Sequence, residues 1–173
     1  MSNDWFQIIN DESLEQGDIL EEIDVLVPTI KFLMGETNEI NAKTYNVLIL
    51  SQTCDLTHKG KTPWVQVTPI HLLSTLKESH DLFKDDNNLE AIRRGIMPKY
   101  HMINECDIAG SESEISLIDF REVFTLPYDY VANFVKFGKS RRRINSPYKE
   151  HLAQAFAKFI MRVGLPADIP PFK

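Results

Sequence analysis

The chain has 173 residues and a formal net charge of −6, with 19 Lys and Arg against 25 Asp and Glu. Its hydrophobic share of 43% and aromatic share of 10% are ordinary for a folded protein and exclude a disordered or low-complexity chain. The length predicts a single domain over residues 1–173, since one core typically serves ~100–200 residues.

The charge is unevenly distributed along the chain. Residues 1–24 carry eight acidic side chains and no Lys or Arg, whereas residues 132–173 carry nine basic side chains and two acidic ones. An acidic average usually argues against a polyanionic partner, but a C-terminal block of +7 could bind one.

The cysteines and the apolar segments indicate the compartment. Cys54 and Cys106 are the only cysteines, which is too few for a disulfide framework. The first residues lack the basic and apolar pattern of a signal peptide, and no apolar run approaches the ~20 residues that span a bilayer. The sequence therefore predicts a cytoplasmic protein with reduced thiols and no membrane association.

The first half of the chain predicts three strands. After a turn signal at 16–18, an extended segment covers 19–20 and resumes over 23–27, and the polar stretch 35–41 predicts a loop. Residues 45–51 are apolar on both faces, as in a central strand, and 64–69 alternate before ending at a proline.

The second half predicts short helices, further strands and a long final helix. Leu72, Leu73, Leu76 and Phe83 favour one helical face. Residues 87–95 predict a second helix, and 100–103, 114–120 and 123–126 predict strands.

The final helix is predicted over about 146–164. Ser146 is expected as its N-cap, Pro147 at its first position and Gly164 at its end. The whole order predicts an α+β fold: a small, mostly antiparallel β-barrel or strongly bent sheet over about 16–130, with short inserted helices and a C-terminal helix.

Four segments, QGDIL, VLILS, VQVTPI and EISLIDFREVFTL, resemble in their order the strands of PemK/MazF-like toxin barrels. The resemblance covers roughly 16–70 and 114–127, and it implies a small β-barrel that is associated with nucleic acid and cleaves RNA in some members. Residues 42–45 lack the arginine usual before the second strand, and His71 stands where Thr or Ser usually follows Pro-Ile. The resemblance therefore implies the barrel without the family's catalytic groups. The segments LSQTCDL and SPYKEHLAQAFAKFIMRVGLP are also similar to uncharacterised bacterial and phage proteins.

The end of the central predicted strand carries the first candidate site. Gln52, Cys54 and Asp55 follow that strand directly, where polar side chains can be held rigidly and still reach solvent. A nucleophilic cysteine needs a base, which His71, His101 or His151 could supply. The alternative is that Cys54 is a small buried apolar residue and Asp55 caps a turn.

A zinc site is the second candidate. Cys54, His58, His101 and Cys106 have the ligand types for tetrahedral Zn²⁺, but neither pair has the usual CxxC spacing. The main prediction is therefore no metal and no cofactor.

The basic run of Lys139 and Arg141–Arg143 is the third candidate. It precedes the capped helix, and arginine forks and helix N–H groups match phosphate oxygens. Two alternatives remain open: the run pairs with the acidic residues 1–24, within the chain or between copies, or it is a solvated loop.

The leading hypothesis is a non-catalytic binding or regulatory protein that engages nucleic acid or a partner protein through Arg141–Arg143. One alternative is a ribonuclease-like enzyme cleaving phosphate esters, in which His71 or His151 transfers protons near Cys54 and Asp55. Another is a structural protein that assembles into a homo-oligomer through its oppositely charged ends.

Overall fold

The computed structural model describes residues 5–57, 62–138 and 140–161. The strands are β1 Phe6–Ile9, β2 Ile19–Val27, β3 Asn41–Ile49, β4 Trp64–Pro69, β5 His71–Leu72, β6 Tyr100–Ile103, β7 Ser116–Asp119, β8 Phe124–Pro127 and β9 Arg141–Ile144. The helices are α1 Ile30–Leu33, α2 Thr53–Leu56, α3 Leu73–Ser79, α4 Asp86–Arg93, α5 Tyr128–Phe137 and α6 Tyr148–Ile160, with a 3₁₀ turn at Asp81–Lys84.

The strands form three antiparallel sheets. The largest has the order β2-β3-β4-β8, the second β5-β7-β6, and the third pairs β1 with β9. The predicted α+β class with mostly antiparallel pairing is confirmed. Ring closure into a barrel stays a prediction, because β2 and β8 are the outer strands of the largest sheet within the described residues.

The break predicted in the first strand is a bulge. The pairing of β2 with β3 shifts register between Leu20 and Ile23. Glu22, inside this gap, has φ +57°, and its backbone N–H donates to the Asn46 side chain at 3.0 Å. A bulge bends the strand and strengthens its twist, so this long strand is kinked where its apolar pattern is interrupted.

The C-terminal end of β3, Val47–Ile49, is buried on both faces, as the sequence predicts for this segment, whereas Asn41–Thr44 are exposed. Val47 and Ile49 belong to a core with α5, whereas Leu48 belongs to a second core with α6. A third, smaller core joins Phe83 and Ile92 to β7 and thereby fixes α4 against the second sheet.

Several elements differ from the prediction. The helix expected from Leu72 to Phe83 is divided into β5, α3 and the 3₁₀ turn. Helix α5 was not predicted, although its Val131 and Val135 are buried. Strand β9 was missed because its first three residues are arginines, which carry no apolar alternation.

Helix α6 begins later than predicted. Pro147 is its N-cap, with no side-chain capping bond, and Ser146 Oγ donates to Glu150 Oε1 at 2.7 Å. Ser146 is therefore not the N-cap. The predicted end at Gly164 lies outside the described residues. Leu152 is fully buried in the second core, which anchors the helix to the sheets.

Gly17 holds the junction between two sheets. Its N–H donates to the Ile49 carbonyl and its carbonyl accepts from Ile144 N–H, both at 3.0 Å. Its φ is +88°, and an added Cβ would lie 3.3 Å from Ile144 Cβ.

We expect Gly17→Ala to lower the free energy of unfolding by about 2 kcal/mol, because the left-handed backbone and the contact with Ile144 both oppose a side chain. Urea denaturation measures the change. Gly110→Ala is the matched control, since Gly110 has φ +79° and open space at its Cβ. An equal loss in both variants would show that the contact with Ile144 contributes nothing.

Candidate functional site

The predicted basic run lies inside the protein. Arg141, Arg142 and Arg143 form most of β9, and at most 9% of each residue is exposed. Asp18, fully buried, accepts hydrogen bonds from Arg141 Nε at 3.0 Å and Arg143 Nη2 at 2.9 Å, and also from Arg143 Nε. Burial alone would lower the pKa of Arg143, but its hydrogen bond and charge pairing with Asp18 raise that pKa above the ordinary value.

Further acidic residues of the N-terminal segment complete this network. Glu15 binds Arg143 Nη1 at 2.7 Å and Lys149 Nζ at 2.9 Å, and Glu21 binds Arg142 Nη2 at 2.9 Å. The arginines thus pair with the N-terminal acidic segment of their own chain, one of the alternatives given above. This differs from the expectation that Arg141–Arg143 present their guanidinium groups to an external phosphate. Lys139 lies outside the described residues.

The predicted strand-end site forms part of a different cavity. Cys54 lies on α2 and is exposed, so it is not a buried apolar residue. Its Sγ lies 3.7 Å from Gln52 Oε1 and 3.8 Å from Asp55 Oδ1. Gln52 and Asp55 line a cavity of about 730 Å³ together with Trp64, and no histidine lines it within the described ranges.

His71 lies in a separate place. Its Nε2 is 2.7 Å from Glu122 Oε2, and both residues line a cavity of about 390 Å³ with Asp119 and Arg121. The imidazole of His71 and the carboxylate of Asp55 thus belong to different cavities. The structure therefore does not bring His71 to Asp55, as the predicted proton transfer requires.

The three candidate zinc ligands that the structure describes, Cys54, His101 and Cys106, form no metal site. Cys106 is buried in the second core, whereas Cys54 is exposed on α2, and His58 lies outside the described residues. In the part of the chain that the structure describes, no group of three or more His, Cys, Asp and Glu side chains is placed to hold a metal ion.

A cavity of about 600 Å³ lies between α4, β6 and α6, and sequence reasoning did not find it. Its lining includes two arginines, one lysine and two histidines: Arg93, Arg94, Lys158, His101 and His151. No Asp or Glu of the described residues lines it. We call it the cationic cavity.

Helix α4 places two of these cations at the cavity. Asp85 caps the helix by accepting from Asn87 N–H, and Gly95, at φ +68°, follows its end. Ile92 packs into the third core, which leaves Arg93 and Arg94 exposed at the helix C-terminus, where the helix dipole favours cations.

Two of the three basic groups make no direct ion pair with a described carboxylate. Arg93 is paired with Glu90, which accepts from its Nε and Nη2, both at 2.7 Å. Arg94 and Lys158 make no ion pair with any described residue. Both are exposed and are therefore open to an anionic ligand.

His101 forms the inner, polar part of the cavity. Its Nε2 is buried and has no hydrogen-bond partner among the described residues. Burial first, and then the charge of the nearby His151, lower the pKa of His101 from 6.5 to about 4. The imidazole is therefore neutral near pH 7, and its buried Nε2 is left without a hydrogen-bond partner among the described residues.

Aromatic side chains complete the lining. Trp5 and Tyr148 are stacked, with ring centroids 3.9 Å apart and an interplanar angle of 11°, and His151 meets Tyr148 edge-on at 6.2 Å. Flat apolar surfaces thus lie beside the basic groups, which is a combination suited to a ligand with both an anionic and an aromatic part.

No protein-family model matches the sequence, and no curated protein sequence matches it significantly. None of the helices within 5–57, 62–138 and 140–161 has the length and apolar character needed to cross a bilayer.

Proposed function

We propose that this protein is a non-catalytic nucleic-acid-binding protein and that it takes phosphate in the cationic cavity. The observation that carries the proposal is a lining with Arg93, Arg94 and Lys158 but no carboxylate among the described residues, in a chain whose net charge is −6. Such local charge concentrates phosphate oxygens, and arginine forks bind them with directed hydrogen bonds.

The PemK/MazF-like barrel remains part of this proposal. The segments QGDIL, VLILS, VQVTPI and the end of EISLIDFREVFTL contribute to β2, β3, β4 and β8, which are consecutive neighbours in one sheet. That adjacency supports the resemblance, which itself implies association with nucleic acid.

Fluorescence anisotropy with RNA tests the function. A single-stranded RNA carrying a 5′-phosphate and a 3′ label is expected to bind the wild-type protein, with affinity falling steeply as salt rises. The double variant Arg94→Ala/Lys158→Ala should bind at least about 10-fold more weakly, because two phosphate-facing charges are lost.

The control is Lys31→Ala/Lys77→Ala, which removes the same charge from α1 and α3, outside the cationic cavity. It should bind nearly as tightly as the wild type. Absence of binding at low salt, or equal affinities in the two double variants, would contradict the proposal.

The enzymatic alternative is favoured by one observation, the presence of His101 and His151 beside the same cations. A pair of imidazoles could transfer protons at a phosphate ester. RNA that stays intact after incubation supports a binding protein, whereas cleavage that His151→Ala abolishes would instead establish the enzyme.

A further inference from the structure

We infer that the group recognised by the cationic cavity is the terminal phosphate monoester of a nucleotide, either free or at a strand end, and not the backbone inside a strand. This inference rests on the proposed function and narrows its ligand.

The size and charge of the cavity favour a compact ligand. About 600 Å³ lies within the range of small-molecule sites, which is ~300–1,000 Å³. A terminal phosphate carries about −1.5 to −2 near pH 7, whereas an internal diester carries a single charge. Arg94 and Lys158, which make no direct ion pair with a described carboxylate, therefore gain more from the monoester.

The surroundings of the cavity disfavour a long strand. Three carboxylates adjoin lining residues along the chain: Glu90 is bonded to Arg93, Glu105 follows Asn104, and Glu150 precedes His151. The residues that do not line the cavity together carry a more negative formal charge than the −6 of the whole chain. Proteins that follow a strand interior present a positive groove along the backbone, so a strand extended in both directions would meet repulsion here.

The remaining lining groups match the nucleoside part. Trp5 and Tyr148 offer aromatic surface for a base. The buried Nε2 of His101 has no hydrogen-bond partner among the described residues, and a ribose hydroxyl or the edge of a base could become that partner. A bare phosphate would use the cations and leave these groups unused.

A comparison of two RNAs tests the inference. The strand with a 5′-phosphate is expected to bind at least about 10-fold more tightly than the same strand with a 5′-hydroxyl, because the hydroxyl strand lacks the terminal phosphate and its charge of about −1.5 to −2. A nucleoside 5′-monophosphate should displace the phosphorylated strand, whereas the unphosphorylated nucleoside should not.

Two variants test which side chains bind the phosphate and which contact the base. Arg94→Ala/Lys158→Ala should weaken direct binding of the monophosphate, measured by calorimetry, at least about 10-fold. Trp5→Ala should weaken binding of the monophosphate several-fold and leave binding of inorganic phosphate unchanged, because only the nucleotide has a base to contact residue 5.

The outcomes separate this inference from the function on which it rests. If both strands bind equally and the double variant loses both, nucleic-acid binding stands and the terminal-phosphate inference is wrong. If inorganic phosphate competes as well as the monophosphate, the nucleoside part of the inference is wrong. If neither strand binds, both proposals fail.

Discussion

Replacing Asp18 with asparagine is expected to lower the free energy of unfolding by about 3–5 kcal/mol, the typical cost of removing one partner from a buried ion pair. Asp18 is fully buried and accepts from Arg141, from Arg143 and from the backbone N–H of Glu15 at 3.1 Å. Without its charge, two buried guanidinium groups lose their common counter-ion. Urea denaturation followed by circular dichroism measures the loss.

Glu21→Gln is the matched control for this prediction. Glu21 also pairs with an arginine of β9, but its side chain is 60% exposed. Solvent screens such a pair, and the expected loss is therefore below about 1 kcal/mol. If Asp18→Asn costs no more than Glu21→Gln, the buried network does not hold the N-terminal segment to β9.

Acid is expected to destabilise the protein through His101. Its pKa is about 4 in the folded protein, against an ordinary value of 6.5. Between pH 6.5 and pH 4, His101 is therefore protonated in the unfolded chain but not in the folded protein. The contribution is fully present above pH 6.5 and is lost as the pH falls to about 4 and below. The full difference amounts to about 3 kcal/mol.

The measurement is the free energy of unfolding across this pH range for the wild type and for His101→Phe. Titrating carboxylates affect both proteins alike, so the difference between the two curves isolates His101. The wild-type stability should fall more steeply toward acid. Parallel curves would show that the imidazole is protonated as readily in the folded protein as in the unfolded chain.

The strands at the centre of the fold were predictable because local pattern and final environment agree. Residues 45–51 are apolar on both faces, and β3 is indeed covered by a core on each side. The interruption at Glu21 and Glu22 corresponds to the bulge in β2. By contrast, β9 begins with three arginines, two of which pair with the buried Asp18, more than 120 residues away.

The candidate site was less predictable than the fold. The complementary charges of the two ends are visible in the sequence, but whether they meet each other or an outside partner depends on the pairing of β1 with β9. The cationic cavity unites Trp5, α4, β6 and α6, and none of these segments carries a recognisable motif. Lys158 in particular has the spacing of an ordinary solvated helix face, so only the fold reveals its neighbours.

Tryptophan fluorescence tests directly whether the cationic cavity binds a nucleotide phosphate. The chain has two tryptophans, of which Trp5 lines the cationic cavity and Trp64 lines other cavities. In a Trp64→Phe protein, Trp5 reports from the cationic cavity alone. A nucleoside 5′-monophosphate should change its emission saturably, and adding Arg94→Ala/Lys158→Ala should abolish that change. Emission from Trp5 that stays constant across the titration, or a response that survives the loss of both basic residues, would contradict the account.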